Sequence, residues 1–111
     1  MTELYMDVVL LEELRGILEE EFPSLIATYI QDSGVRVGDL RQAMTRGDAE
    51  AVRKAAHNLK GSSSNLGLVH LADLCRAIED AACAGRLAGP EALLRIEQEQ
   101  QRAVVLLRER L

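Results

Sequence analysis

The chain has 111 residues, 48% of them apolar and only 3% aromatic, and its formal net charge is −5. This length suits one small domain with a modest core, and it is too short to hold an ATP-binding catalytic domain as well. The acidic balance argues against nucleic-acid binding, which needs a basic surface, and no window approaches the roughly 20 apolar residues of a membrane-spanning helix.

Apolar residues recur at helical spacing along the chain. A short helix is predicted over about residues 6–18. Its inward residues are predicted to be Leu10, Leu14, Ile17 and Leu18. A second helix opens at Phe22-Pro23, since proline fits the first turn of a helix. Gly34 and Gly38 weaken this second helix, so a break near them is considered.

The middle of the chain carries clear helix boundaries. Gly47-Asp48 is typical of the end of one helix and the N-cap of the next. A third helix is predicted over about residues 49–64, followed by a turn over 65–67. A fourth helix is predicted over about 68–85.

A last helix opens at Gly89-Pro90. Short connections between helices favour antiparallel neighbours. The predicted fold is therefore all-α, an antiparallel up-and-down four-helix bundle with a short extra N-terminal helix. We expect one domain over residues 1–111, with the bundle over about 20–110, because no repeat or linker divides the chain.

The two cysteines indicate a reduced protein. Cys75 and Cys83 lie eight residues apart on the predicted fourth helix, and a rise of about 1.5 Å per residue separates them too far for a disulfide. They also lack C-x-x-C spacing, so we expect no structural zinc site but two small, buried or half-buried side chains. Because the N-terminal stretch MTELYMDVVL has no basic start like that of a signal peptide, we predict a cytoplasmic protein.

His57 is predicted to point into solvent. On the third helix the apolar positions Val52, Ala56, Leu59 and Leu66 gather on one side. His57 points roughly 140° away from their mean direction. A histidine satisfied inside the core is therefore not expected, whereas an idle surface histidine stays open as an alternative.

Small and basic residues share the face of His57. Its neighbours there are Arg53, Lys54, Lys60, Gly61 and Ser64. Nearby cations favour the neutral, nucleophilic form of the imidazole, and they would attract an anion placed on the ring. Glycine inside a helix costs roughly 0.8–1 kcal/mol relative to alanine, which suggests that something approaches the backbone closely beside the ring. A phosphoryl group, with about −1.5 to −2 charges by analogy with other phosphoresidues, meets these requirements.

The stretch HNLKGSSSNLG, residues 57–67, resembles the signature of histidine-containing phosphotransfer (HPt) domains, the intermediates of bacterial multistep phosphorelays. The match extends to Gly47-Asp48, to the two alanines before the histidine, and to LCRAIE at residues 74–79. In all, the resemblance covers about residues 22–87. It implies a four-helix bundle that exposes the histidine on one helix.

The resemblance also implies roles for individual residues. His57 would be phosphorylated at Nε2, Lys60 would steady the phosphoryl group, and Gly61 would grant access. Family members often hold the ring's other nitrogen with a polar residue on the next helix, and the candidate is Glu79, which antiparallel helices bring to the depth of His57. An ordinary solvated Glu79 is the alternative. The candidate site residues are His57, Lys60, Gly61, Ser64, Glu79 and Arg53.

The predicted function is that of a phosphocarrier and not of an enzyme, since the chain has no P-loop or glycine-rich nucleotide box. His57 would accept a phosphoryl group from a receiver-domain aspartate and pass it to a response regulator. The resemblance implies that receiver domains of hybrid sensor kinases and response regulators are the partners. They would bring the aspartate and the Mg²⁺, so no cofactor is expected in this chain. We expect a monomer that binds neither nucleic acid nor membranes.

Two other classes of function are weighed. Metal sites in ferritin-like bundles use Glu-x-x-His, but Lys54 precedes His57 by three residues and Gly67 precedes His70 by three, so a metal site is not favoured. His70, at the start of the fourth helix, is expected at the surface.

An HPt-like docking module that binds receiver domains without carrying phosphate is the main alternative. The intact H-x-x-K-G motif favours the carrier over it.

Overall fold

A computed structural model describes residues 6–111, and helices account for most of them. In chain order they are α1 (Val8–Leu18), α2 (Phe22–Arg46), α3 (Ala49–Asn65), α4 (Val69–Cys83) and α5 (Pro90–Arg108). A 3-10 turn, Glu19–Glu21, joins α1 to α2. The start of the predicted domain and part of the stretch MTELYMDVVL fall on residues 1–5, which lie outside the described residues.

The four longer helices form an antiparallel bundle. α2 packs against α3 and α5, and α4 packs against the same two helices, so the four surround a common core. Each connection is short, and the chain therefore reverses direction from one helix to the next. This is the predicted all-α fold, with α1 as the extra N-terminal helix packed on α2. Within residues 6–111, no helix combines the length and the apolar run that crossing a membrane would require.

Local side chains and backbone geometry set the helix boundaries. The carboxylate of Asp7 accepts from the backbone N–H of Leu10 at 3.1 Å and caps α1. Asp48 caps α3 in the same way by accepting from Ala51 at 3.1 Å. Gly47 ends α2 in the left-handed conformation, with φ at 69°, which glycine adopts without steric cost. One dipeptide thus ends α2 and begins the helix that carries His57.

The break considered near Gly34 and Gly38 does not occur. α2 runs without interruption for 25 residues. Its inward side chains, among them Ile26, Val37 and Leu40, are buried against the other helices. Tertiary packing of this face therefore outweighs the weak helix propensity of the two glycines.

The inward face of α1 differs from the prediction. Leu11 is fully buried, whereas Ile17 is 76% exposed. The other three predicted residues, Leu10, Leu14 and Leu18, are half-buried. Because α1 packs chiefly on α2 and the 3-10 turn, it buries a narrower stripe than a helix between several neighbours would.

The two cysteines have different environments. Cys75 is buried, and burial raises the pKa of its thiol to about 12. Cys83 is exposed, so the expectation that both would be buried or half-buried was wrong for this residue. A separation of eight positions rotates Cys83 about 80° around α4 from Cys75, which takes it off the buried stripe.

Buried hydroxyl and amide groups connect three helices through the core. The hydroxyls of Tyr29 on α2 and Ser63 on α3 lie 2.8 Å apart. One turn further along the same side of α2, Gln100 of α5 donates to Ser33 Oγ at 3.0 Å. Burial raises the pKa of Tyr29, so its hydroxyl stays protonated at neutral pH. One of the three consecutive serines therefore serves the core, while its neighbours lie nearer the surface.

Candidate functional site

His57 lies on the solvent side of α3, as the helical periodicity predicts. Its side chain is 57% exposed. On the opposite side of the same helix, Val52, Ala56 and Leu59 are completely buried. The packing of α3 between α2 and α4 therefore fixes the helix and leaves the imidazole accessible to another protein.

One carboxylate on α4 contacts two basic side chains of α3. Glu79 Oε2 lies 2.7 Å from Nδ1 of His57. Glu79 Oε1 lies 2.6 Å from Nζ of Lys60 and forms an ion pair with it. The side chain of Glu79 is only 11% exposed, which excludes the alternative of a solvated glutamate.

The contacts of Glu79 determine which nitrogen of the His57 ring carries the proton. Burial would raise the pKa of this carboxyl, but Lys60 and His57 together outweigh burial and lower it from its ordinary value. Glu79 is therefore ionised at neutral pH, and an ionised carboxylate can only accept hydrogen bonds. Nδ1 must then carry the proton in the hydrogen bond, and in the neutral ring the lone pair resides on Nε2.

Gly61 and Ser64 are exposed on the helix that carries His57. A Cβ atom added at Gly61 would meet no other side chain or distant backbone within 4 Å. Packing within the chain therefore gives no reason for glycine at this position. Any steric reason for it must lie with a molecule that approaches α3 from outside.

Arg53 does not join the cluster formed by His57, Lys60 and Glu79. Its guanidinium donates to Glu50 on the same helix, with Nη2 at 2.6 Å and Nε at 3.1 Å. A residue three positions away on the same helix face is a close neighbour. Arg53 therefore pairs with Glu50, although it was predicted to lie beside His57. Of the three cations expected around the ring, Lys60 reaches Glu79, and the exposed Lys54 faces the groove between α2 and α3.

Sequence reasoning missed the ion pair between Lys60 and Glu79. The sequence predicts that Lys60 contacts the phosphoryl group and that Glu79 contacts the ring of His57. It does not predict a contact between Lys60 and Glu79. The separation of three residues between His57 and Lys60 was the available signal, since it places both on neighbouring turns. Their common orientation towards α4 follows only from the packing of the two helices.

His70 is half-buried near the start of α4. It is therefore less exposed than the predicted surface position. In the described part of the chain, no group of three or more His, Cys, Asp or Glu side chains is arranged to hold a metal ion.

The solved structures include a close match to this fold. The chain superimposes on histidine-containing phosphotransfer protein B (HptB) from Pseudomonas aeruginosa PAO1 with a TM-score of 0.92 and 36% sequence identity. The match covers 96% of this chain and 93% of that chain. The similarity therefore extends over nearly the whole of both proteins.

Sequence comparisons agree with the structural match. The chain is 28% identical over 83 residues to Multistep phosphorelay regulator 1 from Schizosaccharomyces pombe (strain 972 / ATCC 24843). That match covers 74% of this chain and 27% of the relative, so the chain aligns with about a quarter of the relative's length. A family model described as the Hpt domain matches residues 24–111, which include His57, Lys60 and Glu79. The chain therefore belongs to the Hpt domain family.

Proposed function

We propose that this chain is a phosphocarrier of a multistep phosphorelay and that His57 is its phosphoacceptor. His57 accepts a phosphoryl group from a receiver-domain aspartate and passes it to a response regulator. The observation that carries this proposal is the hydrogen bond of Nδ1 to Glu79, which leaves the lone pair of an exposed ring on Nε2.

The transfer step needs only one nitrogen of this chain. The Nε2 lone pair attacks the phosphorus of the aspartyl phosphate, and an N–P bond forms while the P–O bond to the aspartate breaks. The aspartate leaves as a carboxylate with that electron pair. Because Nδ1 keeps its proton, the phosphorylated ring is cationic, and the neighbouring Glu79 carboxylate stabilises it. Transfer to a second aspartate is the reverse sequence.

Lys60 changes partner in this proposal. Before phosphorylation its ammonium pairs with Glu79, which keeps a cation ordered near the ring. The phosphoryl group brings about −1.5 to −2 charges, and Lys60 can then make a charge-assisted hydrogen bond to it. The same lysine thereby neutralises a carboxylate in one state and a phosphoryl group in the other.

The proposed partners are receiver domains of hybrid sensor kinases and response regulators. They supply the reactive aspartate and the Mg²⁺, while this chain contributes neither a nucleotide site nor a cofactor. We propose that the protein acts as a monomer in the cytoplasm and binds neither nucleic acid nor membranes. The absence of a P-loop or glycine-rich nucleotide box from the sequence supports a carrier rather than a kinase.

A two-step transfer assay tests the carrier function. A receiver domain labelled with radioactive phosphate is mixed with the full chain, and an unlabelled second receiver domain is added later. We expect the label to appear first on the chain and then on the second receiver. A chain that binds both receivers but never carries label would instead be a docking module.

Removing the carboxylate of Glu79 should slow phosphoryl acceptance. We expect Glu79→Ala to reduce the single-turnover rate about 10- to 100-fold, because the ring loses the contact that orients it and places the proton on Nδ1. Glu79→Gln should retain more activity, since its amide oxygen can still accept from Nδ1. The measurement is the rate of label transfer from a phosphorylated receiver domain at saturating concentration.

Asp80→Ala is the matched control, because Asp80 is the next residue, carries the same charge and is exposed. It should accept phosphate at the wild-type rate. Equal rates for Glu79→Ala and Asp80→Ala would show that the contact with the ring has no role in transfer.

A further inference from the structure

A polar groove lies between α2 and α3, next to the face that carries His57. Its volume is about 300 Å³. Lys54 and Asn58 line it from α3, one turn before His57 and immediately after it. Glu79 approaches the ring from α4, so the groove lies on the other side of α3 from the carboxylate that holds the ring.

Cations dominate the lining of this groove. Arg36, Arg46 and Lys54 contribute three positive charges, and Asp39 contributes one negative charge. Arg46 and Lys54 are exposed, while Arg36 is half-buried and lies 3.6 Å from Asp32. In a chain whose formal net charge is −5, this region is a local reversal of sign.

Small residues form the base of the groove. Ala55 is 7% exposed, and Ala51 beside it is half-buried. Longer side chains at these two positions would fill the space between the helices. The alanines instead allow a segment of another molecule to approach α3 while the three cations surround it.

We propose that this basic groove, formed by Arg36, Arg46, Lys54 and Asn58, binds an acidic segment of the receiver domain. The inference rests on the proposed function, because it takes a receiver domain as the partner. A receiver domain that holds Mg²⁺ beside its reactive aspartate needs carboxylates there, and the approach of that aspartate to His57 brings this acidic region to the basic groove.

Charge complementarity would let the groove affect both how fast a partner associates and which partner binds. Opposite charges across an interface steer association and exclude partners whose charges do not match. Elsewhere the acidic surface of this chain would repel an acidic partner, so the cations beside His57 also orient the encounter. The groove thus contributes to the choice of receiver domain, while the ring and its contacts perform the transfer.

Charge reversal at Lys54 tests the proposal by binding. A receiver domain that binds the full wild-type chain in the presence of Mg²⁺ is titrated into each variant by calorimetry. We expect Lys54→Glu to raise Kd about tenfold or more. We expect Arg46→Gln, which removes one charge, to raise it by a smaller factor. Wild-type affinity should fall between about 50 and 300 mM salt, and less steeply for Lys54→Glu, because salt screens the charges.

Arg95 supplies matched controls, since it is an exposed cation on α5 outside the groove. Arg95→Glu changes the net charge by as much as Lys54→Glu does, and Arg95→Gln by as much as Arg46→Gln does. Both control variants should leave Kd within about twofold of wild type. Circular dichroism verifies that each variant is folded. If Lys54→Glu binds as tightly as wild type, or no more weakly than Arg95→Glu, the proposal is overturned.

Phosphoryl transfer in the same proteins separates this inference from the proposed function. At saturating receiver, Lys54→Glu should accept phosphate at nearly the wild-type rate, because the groove affects KM rather than kcat. An equal loss in kcat would contradict a role limited to docking. Failure of the wild type to accept phosphate from a receiver that it binds would overturn the carrier function and leave the binding result valid.

Discussion

His57→Gln should abolish phosphoryl acceptance and leave the bundle folded. Glutamine offers no nucleophilic nitrogen, so no N–P bond can form, and the loss should be complete within detection. The fold should tolerate the change because the side chain is 57% exposed. The change breaks the hydrogen bond to the largely buried Glu79, which should cost about 1–3 kcal/mol of unfolding free energy. Label transfer and thermal melting measure the two effects.

Binding of the receiver domain should survive in His57→Gln, because the surrounding face of α3 is unchanged. Loss of transfer with retained affinity would assign the chemistry to His57. Retained transfer would place the phosphoacceptor elsewhere, and His70, the other histidine of the sequence, would be the next residue to replace.

Gly61→Leu should stabilise α3 while it blocks transfer. Leucine is a better helix former than glycine, and a Cβ at this position meets nothing within 4 Å, so we expect the unfolding free energy to rise by about 0.5–1 kcal/mol. The side chain would occupy the space beside the ring through which the receiver approaches. We expect transfer to fall about a hundredfold, since a small displacement of the reacting atoms has effects of that size.

Gly34→Leu is the matched control for this substitution. Gly34 is also an exposed helical glycine with no atom within 4 Å of an added Cβ, but it lies on α2. It should stabilise the protein similarly and transfer phosphate at the wild-type rate. Normal transfer by Gly61→Leu would mean that the small residue has no steric role.

The exposure of His57 could be predicted from sequence, because periodicity alone decides which side of α3 faces the core. The match in depth between His57 and Glu79 was also accessible, because a short turn between antiparallel helices leaves little freedom in their register. Lys60 was more difficult. Its ion pair depends on the side-chain direction across the interface between α3 and α4, which no spacing within one helix specifies.

Other features depend on contacts between distant parts of the chain. The continuity of α2 through Gly34 and Gly38 depends on packing against α3 and α5, which outweighs local propensity. The exposure of Ile17 depends on how much of α1 the bundle covers. The basic groove combines residues of α2 with residues of α3, so it has no signature in any one segment. Arg53 is the converse case. It was predicted to join the site, but it pairs with a neighbour on its own helix, Glu50.

The most direct test of the carrier function is the intact mass of the chain after incubation with a phosphorylated receiver domain, measured beside His57→Gln. We expect the wild type to gain one acid-labile phosphoryl group and the variant to gain none. A phosphoryl group of equal amount on both proteins, or none on a wild type that binds the phosphorylated receiver, would contradict phosphotransfer through His57.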